Sequence, residues 1–284
     1  MVTLEQYGRY ETAWCPGCGN FGILTALKKA LVARELAPHQ VLLVSGIGQA
    51  AKTPHYLNAN VFNGLHGRSL PAAIGAKLAN PRLTVIAESG DGCMYGEGGN
   101  HFLAALRRNL DITILAHDNR VYGLTKGQAS PTSQQGFVTK TQPHGVFPPP
   151  FNPAAVAVVM GASFVARGYA GEPDHLADLI AQAIGHRGTA LVDILQPCVS
   201  FNKVNTYAWY KEHCHLLGEE HDPADHDQAL RVALEFGERI PLGVLFRAEK
   251  PVFEDQFPVL QNGALGRQEV SAEAMRQVKE YYFP

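Results

Sequence analysis

LTVIAESGDGCMYGEGGNHFLAALRRNLDITILAHDNRVYG (83–123) contains two apolar runs, a stretch with helical spacing and two polar turns. Its reading decides the fold. LTVIAESG (83–90) and DITILAH (111–117) are near-continuous apolar runs, as expected of strands buried on both faces. GGNHFLAALRRNL (98–110), between them, reads as a helix. Strand, helix and apolar strand in this order form a parallel crossover unit. The alternation continues outward in both directions. Asn20 and FGILTALKKALVARELA (21–37) read as a capped amphipathic helix, with Phe21, Leu24, Leu27 and Leu31 at helical spacing and Pro38 beyond its end. VLLVSG (41–46) is a further buried strand and LPAAIGAKLA (70–79) a further helix. AAVAVVMGA, SFVARGYA, PDHLADLIAQAIGH and ALVDILQP carry the pattern to residue 197. The prediction is an α/β domain over 1–200, a doubly wound, mostly parallel sheet flanked by helices. Beyond residue 200 the sequence turns polar and His-rich, with one helix near 222–236. Residues 201–284 are therefore expected to form an extension packing on the domain or on a partner.

Composition narrows the function classes. Of 284 residues, 46% are hydrophobic and 18% charged, the balance of a chain with a sizeable core. A formal net charge of −2 offers no electrostatic attraction to nucleic acid or an anionic membrane. No apolar run is long enough to span a bilayer. MVTLEQYGRYETAWC (1–15) has neither the basic start nor the apolar core of a signal peptide, so a cytoplasmic setting is expected. Five cysteines, an odd number, suit thiols or metal ligands better than a disulfide framework.

In doubly wound sheets, ligands bind at the carboxyl ends of the strands. The turn Gly46-Ile47-Gly48-Gln49-Ala50-Ala51 matches a dinucleotide fingerprint. However, Pro54 interrupts any early helix, and no acid lies between Glu35 and Glu88 to hold a ribose. The turns that follow the central strands are more informative. Ser89-Gly90-Asp91-Gly92 ends one strand and Asp118-Asn119 the next, so Asp91 and Asn119 can converge. A carboxylate and an amide oxygen are the hard ligands Mg²⁺ takes, with phosphate oxygens and water completing the octahedron. Gly96, Gly98 and Gly99 open the next helix, where backbone N–H groups can approach phosphate. Asp and Asn are also ordinary turn residues, and it is their pairing after two buried strands that favours a site. Arg68 and Lys126 fall in turns beside it, either pairing with diphosphate or substrate carboxylate or remaining solvated surface charge. His213-Cys214-His215 suggests zinc, but adjacent residues do not easily share one tetrahedral ion.

GDG followed after 26 residues by Asn119 resembles the thiamine-diphosphate motif. With WCPGCGN (14–20), SGIGQ (45–49), HGRSLP (66–71), KLANP (77–81), RRN (107–109), YGLTKGQASPT (122–132) and QPCVSFN (196–202), the order is similar to that in the β subunit of the 2-oxoacid:ferredoxin oxidoreductases. NTYAWYKEH (205–213) and GERIPLGVLF (237–246) extend the likeness. The resemblance implies Mg²⁺ held by Asp91, Asn119 and the Val121 carbonyl. It also implies diphosphate lined by Gly92, Cys93, Gly123 and Leu124, with Ile47, Gly48, His66 and Gly67 closing around the cofactor. The implied reaction is CoA-dependent oxidative decarboxylation of a 2-oxoacid to acyl-CoA and CO₂, with electrons passing singly to ferredoxin. SGIGQAAKTPHY (45–56) and YGEGGNHF (95–102) resemble the 2-oxoglutarate branch. Pyruvate or branched-chain substrates and a non-oxidative decarboxylase are the alternatives. Cys15, Cys18 and Cys198 match three ligands of a [4Fe–4S] cluster. The fourth ligand, in a turn usually reading SGIGC, is Gln49 here. Cys93, and less readily Cys214, are candidates for the fourth place, whereas Gln49 suits soft iron poorly. Remnant or zinc-binding cysteines are the other reading. The glutamate that contacts the aminopyrimidine lies on another subunit in this family, so an α subunit is expected at the active site.

Overall fold

The apolar runs form the strands their patterns call for, in a computed structural model that describes residues 1–283. In chain order the regular elements are α1 (Asn20–Ala33), β1 (Val41–Ser45), β2 (Asn60–Asn63), α2 (Ser69–Ala79), β3 (Thr84–Gly90), α3 (Gly99–Arg108) and β4 (Thr113–Asp118). A short hairpin of β5 (Val121–Tyr122) and β6 (Gln128–Ala129) follows. Then come α4 (Pro153–Val159), β7 (Phe164–Tyr169), α5 (Pro173–Gly185), β8 (Ala190–Leu195), α6 (Tyr207–His213), β9 (Cys214–Leu216), α7 (His226–Leu234), β10 (Ile240–Arg247), α8 (Pro258–Gln261) and α9 (Ala272–Tyr282).

The main sheet runs β2-β1-β3-β4-β8-β7-β10-β9. It is parallel from β2 to β7, and β10 then joins β7 antiparallel. Strand side chains alternate between faces, and the sheet is covered on both. Val85, Ala87, Ile114, Ala116, Val165 and Leu191 face α2, α3, α4 and α7. Ile86, Leu115, Ala166 and Val192 face α1 and α5. This is the doubly wound, mostly parallel α/β sheet the sequence predicts. From β1 the chain goes outward to β2 and returns on the other side as β3. The order therefore reverses at β1, and a crevice opens there at the carboxyl ends.

Three local expectations need correction. Asn20 does not cap α1. Its side chain is buried and its Oδ1 lies 2.9 Å from Nδ1 of the buried His117, while Gly19 is the cap residue. Burial beside a histidine outcompetes the cap, because an unpaired imidazole in the core would be costly. Within 201–284, IPLGVLFR forms β10, which pairs with β7 although the surrounding sequence reads as polar. The edge strand β2 is exposed along its length and mixes Asn with apolar residues, so no apolar run marks it. No helix among the described residues is long and apolar enough to cross a membrane.

Candidate active site and the adjoining cysteine cleft

The turns after β1, β3 and β4 meet in one cleft. Its lining includes Ile47, Gly48, His66, Asp91, Gly92, Cys93, Asn119, Val121, Gly123 and Leu124. Those ten candidate residues, drawn from separate stretches of the chain, are thus brought together. Gly67 lies just behind. Its φ of +69° and the 2.5 Å from its would-be Cβ to Glu97 C exclude any side chain there. Arg68 and Lys126 are exposed and do not line the cleft. Arg68 Nη1 donates to the Gly67 carbonyl at 3.2 Å, and Lys126 takes a left-handed φ of +83°. Arg120, at +60°, is also left-handed, so two strained non-glycine residues bracket the loop between β4 and β6.

The floor of the cleft is formed by the turns that follow β3 and β4. After β3 the chain enters a π-helical turn, Gly92–Glu97, closed by Gly98 N–H on the Cys93 carbonyl at 3.0 Å. Such turns recur at functional sites because they re-aim side chains. Asn119 Oδ1 accepts the Val121 N–H at 3.0 Å, which fixes the amide oxygen and folds the backbone after it. Asp91 is buried, and its pKa is raised to about 7, by burial first and by Asp118 second. A divalent cation would relieve both effects. At the wall, Gly48 and Gly123 offer bare backbone with nothing within 4 Å of a would-be Cβ. Residue types and open space thus fit a diphosphate with its metal. His66 Nδ1 lies 3.0 Å from Glu97 Oε2, and Tyr122 Oη is 3.2 Å from the same oxygen.

Sequence reasoning missed the groups beneath this floor. Thr132 Oγ1 lies 2.7 Å from Asp91 Oδ2 and 2.6 Å from Asp118 Oδ1, with all three residues buried. Burial also raises the Asp118 pKa, against the pull of Arg120. Asp193 on β8, its pKa raised to about 8 by burial and then Asp118, accepts the Tyr95 hydroxyl at 2.8 Å. The only available signal was polar residues in otherwise apolar strands, and spacing alone cannot show which face they share.

A second cleft adjoins the first and shares Gln49, Asn119 and Gly123 with it. Cys15, Cys18 and Cys198 line it, 183 positions apart in the chain at the extremes, with Gln196 and Ser200. Ser200 Oγ donates to Cys15 Sγ at 3.0 Å, and Gln196 Nε2 donates to Cys18 Sγ at 3.5 Å. Burial pushes the Cys18 thiol pKa up. Cys93 is not in this cleft. Its Sγ accepts N–H groups from Gly67 at 3.0 Å and Ile47 at 3.4 Å. Cys214 lies in a different cleft, with Tyr169 and Tyr210. Its neighbours diverge, His213 stacking on Trp209 and His215 accepting from Arg239. Among the described residues, no group of three or more His, Cys, Asp or Glu side chains is arranged to hold a single ion.

The thiamine pyrophosphate enzyme C-terminal TPP binding domain matches residues 40–194, and the C-terminal region of the pyruvate ferredoxin oxidoreductase beta subunit matches 198–262. Subunit beta of 2-oxoacid:ferredoxin oxidoreductase 1 from Aeropyrum pernix is 46% identical over 244 residues, 82% of this chain and 77% of that protein. The 2-oxoglutarate oxidoreductase subunit KorB of Mycobacterium tuberculosis is 44% identical over 202 residues, 71% of this chain and 54% of that one. In three dimensions the chain is similar to the 2-oxoglutarate:ferredoxin oxidoreductase from Magnetococcus marinus, solved with 2-oxoglutarate, coenzyme A and succinyl-CoA bound. That match has a TM-score of 0.92 at 32% identity, covering 100% of this chain and 97% of the other.

Proposed function

Because the chain belongs to the β subunits of the 2-oxoacid:ferredoxin oxidoreductases, enzymes that work through more than one subunit, we propose that it binds thiamine diphosphate and Mg²⁺ for CoA-dependent oxidative decarboxylation of a 2-oxoacid. The observation that carries this reading is the convergence of Asp91, Asn119 and Val121 with the bare backbone of Gly48 and Gly123 in one cleft. Asp91, Asn119 and the Val121 carbonyl would hold the metal. Gly92, Cys93, Gly123 and Leu124 would lie along the diphosphate, with Ile47, Gly48, His66 and Gly67 around the rest of the cofactor. When bound, thiamine diphosphate supplies the carbanion chemistry that releases CO₂. The chain's own residues bind and orient it. The Cys93 thiol ties the turns holding Ile47 and Gly67 together, and the Thr132 hydroxyl fixes the acid beneath the metal. Arg68 and Lys126, exposed beside the cleft, are in position to attract anionic groups of the substrate or CoA.

Three further parts complete the reading. Cys15, Cys18 and Cys198 would hold an iron–sulfur cluster next to the cofactor, passing single electrons to ferredoxin. The fit rests on three thiols facing one cleft that shares a wall with the cofactor cleft. An α subunit would supply the glutamate for the aminopyrimidine. Leu124 in the wall of the cleft, and Val61, Phe62 and Leu65, are exposed apolar side chains that such a partner would cover. 2-Oxoglutarate is the favoured substrate, because the Magnetococcus marinus relative was solved with it bound. The test is reduction of a viologen dye or ferredoxin by the purified α–β complex, with 2-oxoglutarate compared against pyruvate and branched-chain 2-oxoacids. The complex should be active with CoA, and the β chain alone inactive. CoA-dependent turnover by the lone chain would overturn the shared active site.

A further inference from the structure

The cysteine cleft is lined by three cysteines and by two glutamines, Gln49 and Gln196, whose carboxamide oxygens nothing satisfies. Gln49 Oε1 is buried without a hydrogen-bond partner, and Gln49 lines the same cleft as Cys15, Cys18 and Cys198. Its backbone is anchored there, since the Gln49 carbonyl accepts the Trp14 indole N–H at 2.8 Å, one residue before Cys15. The other candidates are committed elsewhere. Cys93 Sγ faces the cofactor cleft with two N–H donors on it, and Cys214 lies in a separate cleft. Gln196 also lines the cysteine cleft with its Oε1 likewise buried and unpartnered, but its Nε2 donates to Cys18 Sγ, a contact that holds the amide in place and orients a thiol.

We infer that this is a three-thiolate iron–sulfur site whose fourth corner is Gln49, so that one iron of the cluster is held without a thiolate and exchanges. The inference rests on the cluster reading proposed above. Four-iron clusters normally take four thiolates, and a neutral amide oxygen is a hard, weak donor to iron in a sulfide cage. The iron at that corner is therefore the first to leave. One-electron oxidation takes [4Fe–4S]²⁺ to [3Fe–4S]⁺ and free Fe²⁺. The electron passes to an added oxidant such as ferricyanide, so charge and atoms balance.

The experiment uses anaerobically purified α–β complex, with the Cys198→Ser complex as the blank for iron bound elsewhere. Mild ferricyanide treatment should release about one quarter of the cluster iron, leaving three of four irons. The narrow, near-isotropic EPR signal of an oxidised three-iron cluster should appear. Gln49→Cys supplies the missing thiolate and should keep all its iron, without that signal. Returning ⁵⁷Fe²⁺ to the treated parent under reduction should place the Mössbauer label in one distinct site, a readout independent of how the variant folds. A parent that keeps all its iron and shows no three-iron signal would overturn the Gln49 corner and leave the cluster standing. The same holds if the label spreads over every site, or if Gln49→Cys loses iron as the parent does. A cleft containing no iron, or zinc instead, would overturn both.

Discussion

Thr132→Val tests the arrangement beneath the proposed metal site. A hydroxyl carries a single hydrogen, yet Thr132 Oγ1 sits 2.7 Å from Asp91 Oδ2 and 2.6 Å from Asp118 Oδ1. Both contacts are hydrogen bonds only if one carboxyl carries a proton and donates it to the hydroxyl. The raised pKa of Asp91, about 7, agrees with such a shared proton in the metal-free protein. Valine keeps the shape and removes the link. A hydrogen bond to an ionised group contributes about 1.5–3 kcal/mol and one between neutral groups about 1 kcal/mol. Burying a methyl in place of the hydroxyl returns roughly 1 kcal/mol, leaving a net loss of about 1.5–3 kcal/mol. For a chain of 284 residues this lowers Tm by roughly 2.5–5 °C. The assay is the thermal midpoint of the metal-free complex at fixed concentration and scan rate, since both affect an oligomer. Thr132→Ser, which keeps the hydroxyl, is the control and should stay near the parent. A valine variant within about 1 °C of the parent, or equal losses from both variants, would refute the shared-proton bridge.

Asp91→Ala should leave the complex folded but abolish Mg²⁺-dependent binding of thiamine diphosphate, because the charged ligand opposite the diphosphate is lost. Unchanged affinity in Mg²⁺-limited titrations would rule out the assigned role. Cys198→Ser should lower iron relative to the parent complex by the content of one cluster, measured by metal and sulfide analysis. Asp193 gives a pH test. Its folded pKa, about 8, lies above the ordinary 3.8, so its contribution to stability is full below that ordinary value and is lost as pH rises toward about 8. Asp193→Asn keeps an acceptor for the Tyr95 hydroxyl and removes the titration. Between about pH 6 and 8 its stability should therefore fall less than the parent's, by up to about 1 kcal/mol per pH unit. Parallel pH profiles would show that Asp193 is ionised throughout.

Much of the scaffold is local, and for that reason legible. A strand buried on both faces is apolar over most of its length, so VLLVS, TVIAESG and TILAHD announce β1, β3 and β4 without reference to the rest of the chain. The paired turns carrying Asp91 and Asn119 are legible for a related reason, since polar residues directly after buried strands fall at one end of a parallel sheet. Relations between distant segments are a different matter. β8 enters the sheet between β4 and β7, and β10 reverses direction against β7. Those pairings depend on which apolar faces meet, and no residue spacing encodes that. The same limit governs the site. Cys93 follows the GDG turn and reads as a free metal ligand, but the fold directs its thiol to two backbone N–H groups. Gln49 reads as the poorest of the candidate ligands, yet the fold buries its amide oxygen without a partner and places the residue in the wall of the cleft that three cysteines line. Thr132 looks like an ordinary loop residue until the turn after β6 brings it between two buried acids. Sequence determined which groups are present and at which end of the sheet they lie. Tertiary packing decided where each side chain points, because direction is set by neighbours that arrive from far along the chain.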